Sequence, residues 1–109
     1  MSKKYNVFWT QTAENDFTFI LKYIQKDSPS NAKMVFLALK EQALKLEFFP
    51  ERGRIVPELQ EFGITQYREI IIQRWRMIYK IVDERVYVLS LIDARQNGED
   101  ILFNRYVRG

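Results

Sequence analysis

The chain has 109 residues with 17 basic and 14 acidic side chains, a formal charge of +3, and neither cysteine nor histidine. Those absences exclude disulfide frameworks, thiolate nucleophiles, Cys/His zinc sites and imidazole acid–base chemistry, so neither a metal nor a cofactor is expected. At 47% hydrophobic residues the length suffices for one packed core, giving one expected domain over residues 1–109, and the lack of a signal core or bilayer-length apolar run points to the cytoplasm and to no membrane partner.

Residues 5–9 are aromatic and β-branched and read as a strand, closed by Thr10-Gln11-Thr12, where either threonine can cap a helix. Ala13, Phe17, Ile20 and Ile24 then recur at helical spacing, with Leu21 widening the stripe and Asp16, Lys22 and Lys26 on the outer surface. Asp27-Ser28-Pro29 stops this helix and starts another, because serine accepts orphan amide protons and proline tolerates the first helical position. Ala32, Val35, Phe36, Leu39, Ala43 and Leu46 carry the second stripe as far as Phe48-Phe49-Pro50. So short a turn implies an antiparallel helical hairpin with both stripes in the core.

Residues 51–66 hold Gly53, Pro57 and Gly63 without sustained periodicity, and read as a loop with at most one short extended or helical piece at 55–62. The period then changes to two. Residues 67–72, 75–82 and 86–92 are strands, and their short connections make an antiparallel meander. Alternation places Arg76, Ile78, Lys80 and Val82 on one face and Trp75, Met77, Tyr79 and Ile81 on the other. The helical hairpin is expected to cover the second, more apolar face and to leave the first partly wet. Residues 101–108 form an apolar-basic tail, either a helical turn or an extended arm. The fold class is α+β: an N-terminal strand and helical hairpin on a C-terminal antiparallel meander.

Charge is distributed unevenly by type. Residues 1–49 contain seven lysines and no arginine, whereas residues 50–109 contain nine arginines and one lysine, Lys80, with acids nearly balancing each half. Two readings stay open. The arginines are either planar forks presented to phosphate or carboxylate, or structural groups: Arg54 tying the loop to the body, Arg68 and Arg76 pairing across strands with Glu69 and another acid, and Tyr79 plain core.

The order of elements, with Val7-Phe8-Trp9-Thr10 through Ala13, Asp16, Ile20, Tyr23 and Ile24, the loop Phe49-Pro50-Glu51-Arg52-Gly53-Arg54, the strands beginning Tyr67-Arg68-Glu69-Ile70 and Trp75-Arg76-Met77-Ile78-Tyr79-Lys80, and the ending Leu91-Ile92-Asp93-Ala94-Arg95, resembles the RelE/ParE superfamily of toxins from bacterial type II toxin–antitoxin systems. The resemblance implies a growth-arresting toxin restrained by a cognate antitoxin that lays a helix or strand over it, on an edge such as the first strand or the tail. It leaves room for a homodimer.

Fold does not fix activity here. The ParE-like branch implies poisoning of DNA gyrase through a binding surface, for which Arg54, Arg68, Arg76, Lys80 and Arg95 are the candidates, and this branch is favoured. The RelE-like branch implies a ribosome-dependent mRNA endonuclease using Arg54, Arg68, Arg76, Tyr79 and Arg95. Its tail, however, places a tyrosine soon after the last-strand arginine, whereas residues 96–104 have none and Tyr106 comes later. An inactive toxin-shaped interaction module is the third reading. With no helix-turn-helix signature or strongly basic helix face, direct sequence-specific DNA binding by the chain alone is not expected.

Overall fold

The computed structural model describes residues 3–108. Strand β1 (Asn6–Trp9) runs into Thr10, whose hydroxyl accepts from the Ala13 amide at 3.2 Å and so caps helix α1 (Gln11–Asp27). Ser28 serves two helices. Its amide donates to the Ile24 carbonyl at 2.9 Å and closes α1, while its side chain accepts from the Asn31 amide at 3.2 Å and opens α2 (Pro29–Lys45) with proline in the first turn. A single linking residue forces the chain back on itself. The buried stripes are Ala13, Phe17, Ile20 and Ile24 facing Ala32, Val35, Leu39 and Ala43. Phe36, expected in the core, is 40% exposed and stacks on Phe17 at 5.4 Å from the rim of the stripe.

The segment expected to be mostly loop contains both elements considered for it: β2 (Arg54–Ile55) and a single helical turn, α3 (Pro57–Gln60). Strands β3 (Tyr67–Ile72), β4 (Trp75–Val82) and β5 (Arg85–Asp93) form the antiparallel meander. Its hairpins turn on Gln73-Arg74 and Asp83-Glu84, with Gln73 and Asp83 both at φ 55°. The five-stranded order is β1-β5-β4-β3-β2, with β1 parallel to β5. The pairing moves from Ile78–Ser90 to Tyr79–Val88, so β5 carries a bulge at Leu89.

Both faces of the sheet carry a packed layer, the second over only part of its length, since Phe8 and Val82 on that face are 46% and 40% exposed. The helical hairpin packs on Ile70, Ile72, Trp75, Met77, Tyr79, Val86, Val88 and Leu91. The opposite face, expected to be partly wet, carries a second core in which Ile78 and Ile92 meet Val56, Leu59 and Leu102, flanked by Ile64, Tyr67, Ile101 and Tyr106. Its cover comes from α3, a second short helix α4 (Gly98–Leu102) and a π-helical turn at Phe103–Arg108. Elements of four to six residues are too short to display an amphipathic repeat, which is why the pattern concealed this layer.

Two glycines mark where the layers meet most closely. A Cβ on Gly53 would lie 2.6 Å from both the Glu69 carbonyl and the Tyr79 hydroxyl, and one on Gly98 would lie 2.5 Å from an Arg76 guanidinium nitrogen. Gly53→Ala therefore requires the loop to lift from the sheet. The expected cost is about 1–3 kcal/mol, the usual range for overpacking, measured as the shift in urea unfolding at constant m-value; an unchanged midpoint would show that the loop is not seated as described.

Candidate functional site

The candidate side chains gather into three groups. The first is a closed ion network on the second sheet face. Glu69 on β3, fully buried, accepts from the Arg54 Nε at 2.8 Å and from the Arg76 Nε at 2.6 Å. Arg76 also grips Glu58 of α3 bidentately, Nη1 to Oε2 at 2.6 Å and Nη2 to Oε1 at 2.7 Å. Register puts these groups together: Arg54 pairs with Glu69 across β2–β3, and Glu69 with Ile78 across β3–β4, two residues from Arg76. Hydrogen bonding to Arg76 outweighs desolvation and holds the Glu58 carboxyl below the ordinary carboxylate range. Bonds to Glu58 and Glu69 raise Arg76 further above its already high value.

The second group lies on the helix-covered face. Tyr79 is fully buried, and its hydroxyl donates to the Pro50 carbonyl at 2.7 Å while accepting from the Gly53 amide at 2.9 Å. Burial pushes its pKa up. Arg68, directly across on β3, donates to the Gly53 carbonyl at 2.7 Å. Together they clasp the 50–53 loop to the sheet.

The third group sits at the end of β5. There Arg95 grips Asp93, Nε to Oδ1 at 3.3 Å and Nη2 to Oδ2 at 3.1 Å, beside a cleft of about 480 Å³. Lys80 stands apart from all three groups, half-buried between its strand partners Tyr67 and Tyr87. The candidates thus do not converge on one open guanidinium-bearing face. Arg76 is 8% exposed beneath the second core, which corrects its place on a wet surface, whereas farther along the same face Lys80 is half-buried and Val82 is 40% exposed, so the face is wet in part.

Several working residues escaped the sequence pattern. Asp16, expected on the outer surface of α1, accepts from the Leu91 amide at 3.0 Å and chelates Arg105 at 2.8 and 3.1 Å. Tyr106 lies against the Tyr67 ring at 4.8 Å with its hydroxyl bonded to Ser90, so burial raises its pKa. Glu58 gave no signal within an aperiodic loop. Glu69 did: a lone acid among apolar residues on an inner strand requires a cation nearby.

Comparison with known proteins follows the same architecture. The family described as ParE toxin of type II toxin–antitoxin system, parDE, matches residues 7–98. Toxin RelE2 of Caulobacter vibrioides is 31% identical over 88 residues, covering 81% of this chain and 93% of that protein. The fold resembles that of the chromosomal ParDE toxin–antitoxin system of P. aeruginosa, with a TM-score of 0.69 at 16% identity over 86% of this chain and 100% of that one. It also resembles the RelBE2 toxin–antitoxin complex of Mycobacterium tuberculosis, with a TM-score of 0.54 at 25% identity over 83% of this chain and 91% of that one.

The depressed Glu58 value has a stability consequence. A carboxyl lowered in the folded state contributes stability that is present above its unfolded value and is lost as pH falls through the folded one. Lowering the pH from neutrality to below about 4 is expected to destabilise the parent more steeply than Glu58→Gln, which starts less stable at neutral pH. Urea unfolding across that range measures the difference; parallel curves would show that the carboxylate does not contribute through Arg76.

Proposed function

Because the chain belongs to the ParE-toxin family of type II toxin–antitoxin systems, we propose that it arrests growth by binding and poisoning DNA gyrase, without bond-breaking chemistry of its own. A cognate antitoxin restrains it in the cell that makes it. The observation that carries this reading is the engagement of Tyr79 and Arg76. Cleavage of RNA at a 2′-hydroxyl needs a group to take that proton, a cation facing the phosphate, and an acid for the leaving oxygen. The Tyr79 hydroxyl already uses its proton and accepts another bond in a buried position, and three Arg76 nitrogens are bound to carboxylates. Arg54, Arg68 and Arg95 belong to three separate clusters. A binding toxin requires no converging acid and base.

The second reading is a ribosome-dependent mRNA endonuclease. It is favoured by the name of the 31% identical relative, Toxin RelE2. In that reading the exposed Arg54 and Arg95 contact RNA, and the ribosome supplies the missing acid–base groups.

Purified toxin is expected to inhibit supercoiling by gyrase and to accumulate cleaved DNA complexes, while message on translating ribosomes stays intact. Codon-positioned message ends with gyrase unaffected would reverse the choice, and induction without any loss of growth would indicate an inactive module. Tyr79→Phe separates structure from chemistry. It is expected to lower stability by about 1–3 kcal/mol, because the Gly53 amide and the Pro50 carbonyl both lose their buried partner, and to leave growth arrest in place, whereas a folded Tyr79→Phe protein without toxicity would point to catalysis.

A further inference from the structure

Helix α1, the β3–β4 turn, the end of β5 and the C-terminal turn enclose the cleft of about 480 Å³ that Arg95 borders. Arg74 lines it from the turn. Its guanidinium carbon sits 4.4 Å from the Trp75 ring centroid, and its Nε, 3.6 Å from an Asp93 oxygen, is buried with no hydrogen-bond partner among the described residues. The other two arginines of the cleft are engaged, Arg105 by Asp16 and Arg95 by Asp93. Three arginines facing two aspartates leave one positive charge. Beside it, Phe19 and Tyr23 stand one helical turn apart on α1, 72% and 56% exposed.

We propose that this cleft seats a segment of the cognate antitoxin that combines an acidic side chain with a bulky apolar one. The carboxylate docks on Arg74, and the apolar group lies against Phe19 and Tyr23. The proposal rests on the toxin–antitoxin reading above but not on the identity of the target. Three features support it. The Arg74 charge is less fully satisfied than those of Arg95 and Arg105, since its Nε makes no hydrogen bond while its side chain is 36% exposed. The planar fork, oriented by the ring beneath it, suits a carboxylate taken bidentately. Two large exposed aromatic side chains adjoin that charge, and permanent interfaces are more apolar than transient ones, so the lip suits the standing partner better than a target met in passing.

A nucleic-acid strand fits less well. The Trp75 ring lies under a guanidinium and is 4% exposed, so it offers no platform for a base, and a single unbalanced positive charge does not match a run of phosphates.

The test uses full-length toxin titrated onto immobilised full-length cognate antitoxin over about 0.05–0.3 M salt, with thermal melts to verify that each variant is folded. Arg74→Glu is expected to weaken capture by roughly tenfold or more at low salt, with Arg74→Lys intermediate. The Phe19→Ser/Tyr23→Ser double variant is expected to weaken it at every salt concentration. Growth arrest by each variant, expressed without antitoxin, stays at the parental level. Unchanged capture by folded Arg74→Glu and by the double variant would overturn the proposal. So would loss of growth arrest with capture intact, which assigns the cleft to the target, or Arg74-dependent binding of a single-stranded oligonucleotide. Failure of the parent to inhibit gyrase would remove the preceding reading and leave this one standing.

Discussion

Glu69 is an acidic side chain with no access to solvent in the middle of a sheet, and the second half of the structure is arranged around pairing it with cations. An unpaired buried carboxylate is strongly unfavourable, so it must have cations at hydrogen-bonding distance. Arg54 supplies one from β2 and Arg76 the other from β4. Arg76, itself nearly buried, needs a second acid, and Glu58 brings one on α3. Four charges therefore pin a two-residue strand and a single helical turn to the sheet, elements that have almost no stability in isolation. With α3 fixed, Val56 and Leu59 can close over Ile78 and Ile92, and Gly98 lets α4 approach the Arg76–Glu58 pair without a clash.

This arrangement limits where function can reside. With helices on one face and α3, α4 and the C-terminal turn over part of the other, the open sheet surface among the described residues lies mainly at the end around Phe8, Lys80 and Val82. On the function proposed above, recognition lies at the rims: the exposed guanidinium of Arg54, the clasped 50–53 loop, and the cleft between α1 and the C-terminal turn, where Arg74 and the aromatic lip of α1 meet. Electrostatic pairing inside the protein thus serves the scaffold, and recognition falls to the less fully paired charges and to exposed apolar side chains.

Much of the fold was legible because it is written in long periodic segments. Ser28 and Pro29 marked the helical hairpin, Ala13 to Ile24 and Ala32 to Leu46 marked its buried stripes, and the change of period after Tyr67 marked the meander. The second layer was hidden for the complementary reason: α3 and α4 span four and five residues, less than two turns. Phe36 matched the helical period yet lies at the edge of the contact, since a period gives the direction of a side chain and not how far the neighbouring layer extends. The site was less legible than the fold. Arginine richness was visible, but whether a guanidinium faces solvent or an acid depends on strand register and on loops. Arg74 shows this well: in sequence it is a turn residue, and only the folding of the C-terminal turn onto α1 makes it the wall of a cleft.

The central claim is that the buried network of Arg76, Glu58 and Glu69 on the second face holds the protein together and takes no part in its action. Replacing the three buried charges together tests this directly, because no charge is left orphaned in the interior, whereas removing one member leaves one; Arg54 loses Glu69 but is exposed and stays hydrated. A folded protein carrying Arg76→Met, Glu58→Leu and Glu69→Leu is expected to arrest growth at the same dose as the parent. A folded triple variant that no longer arrests growth would contradict the account, because it would place the network itself in the toxic action.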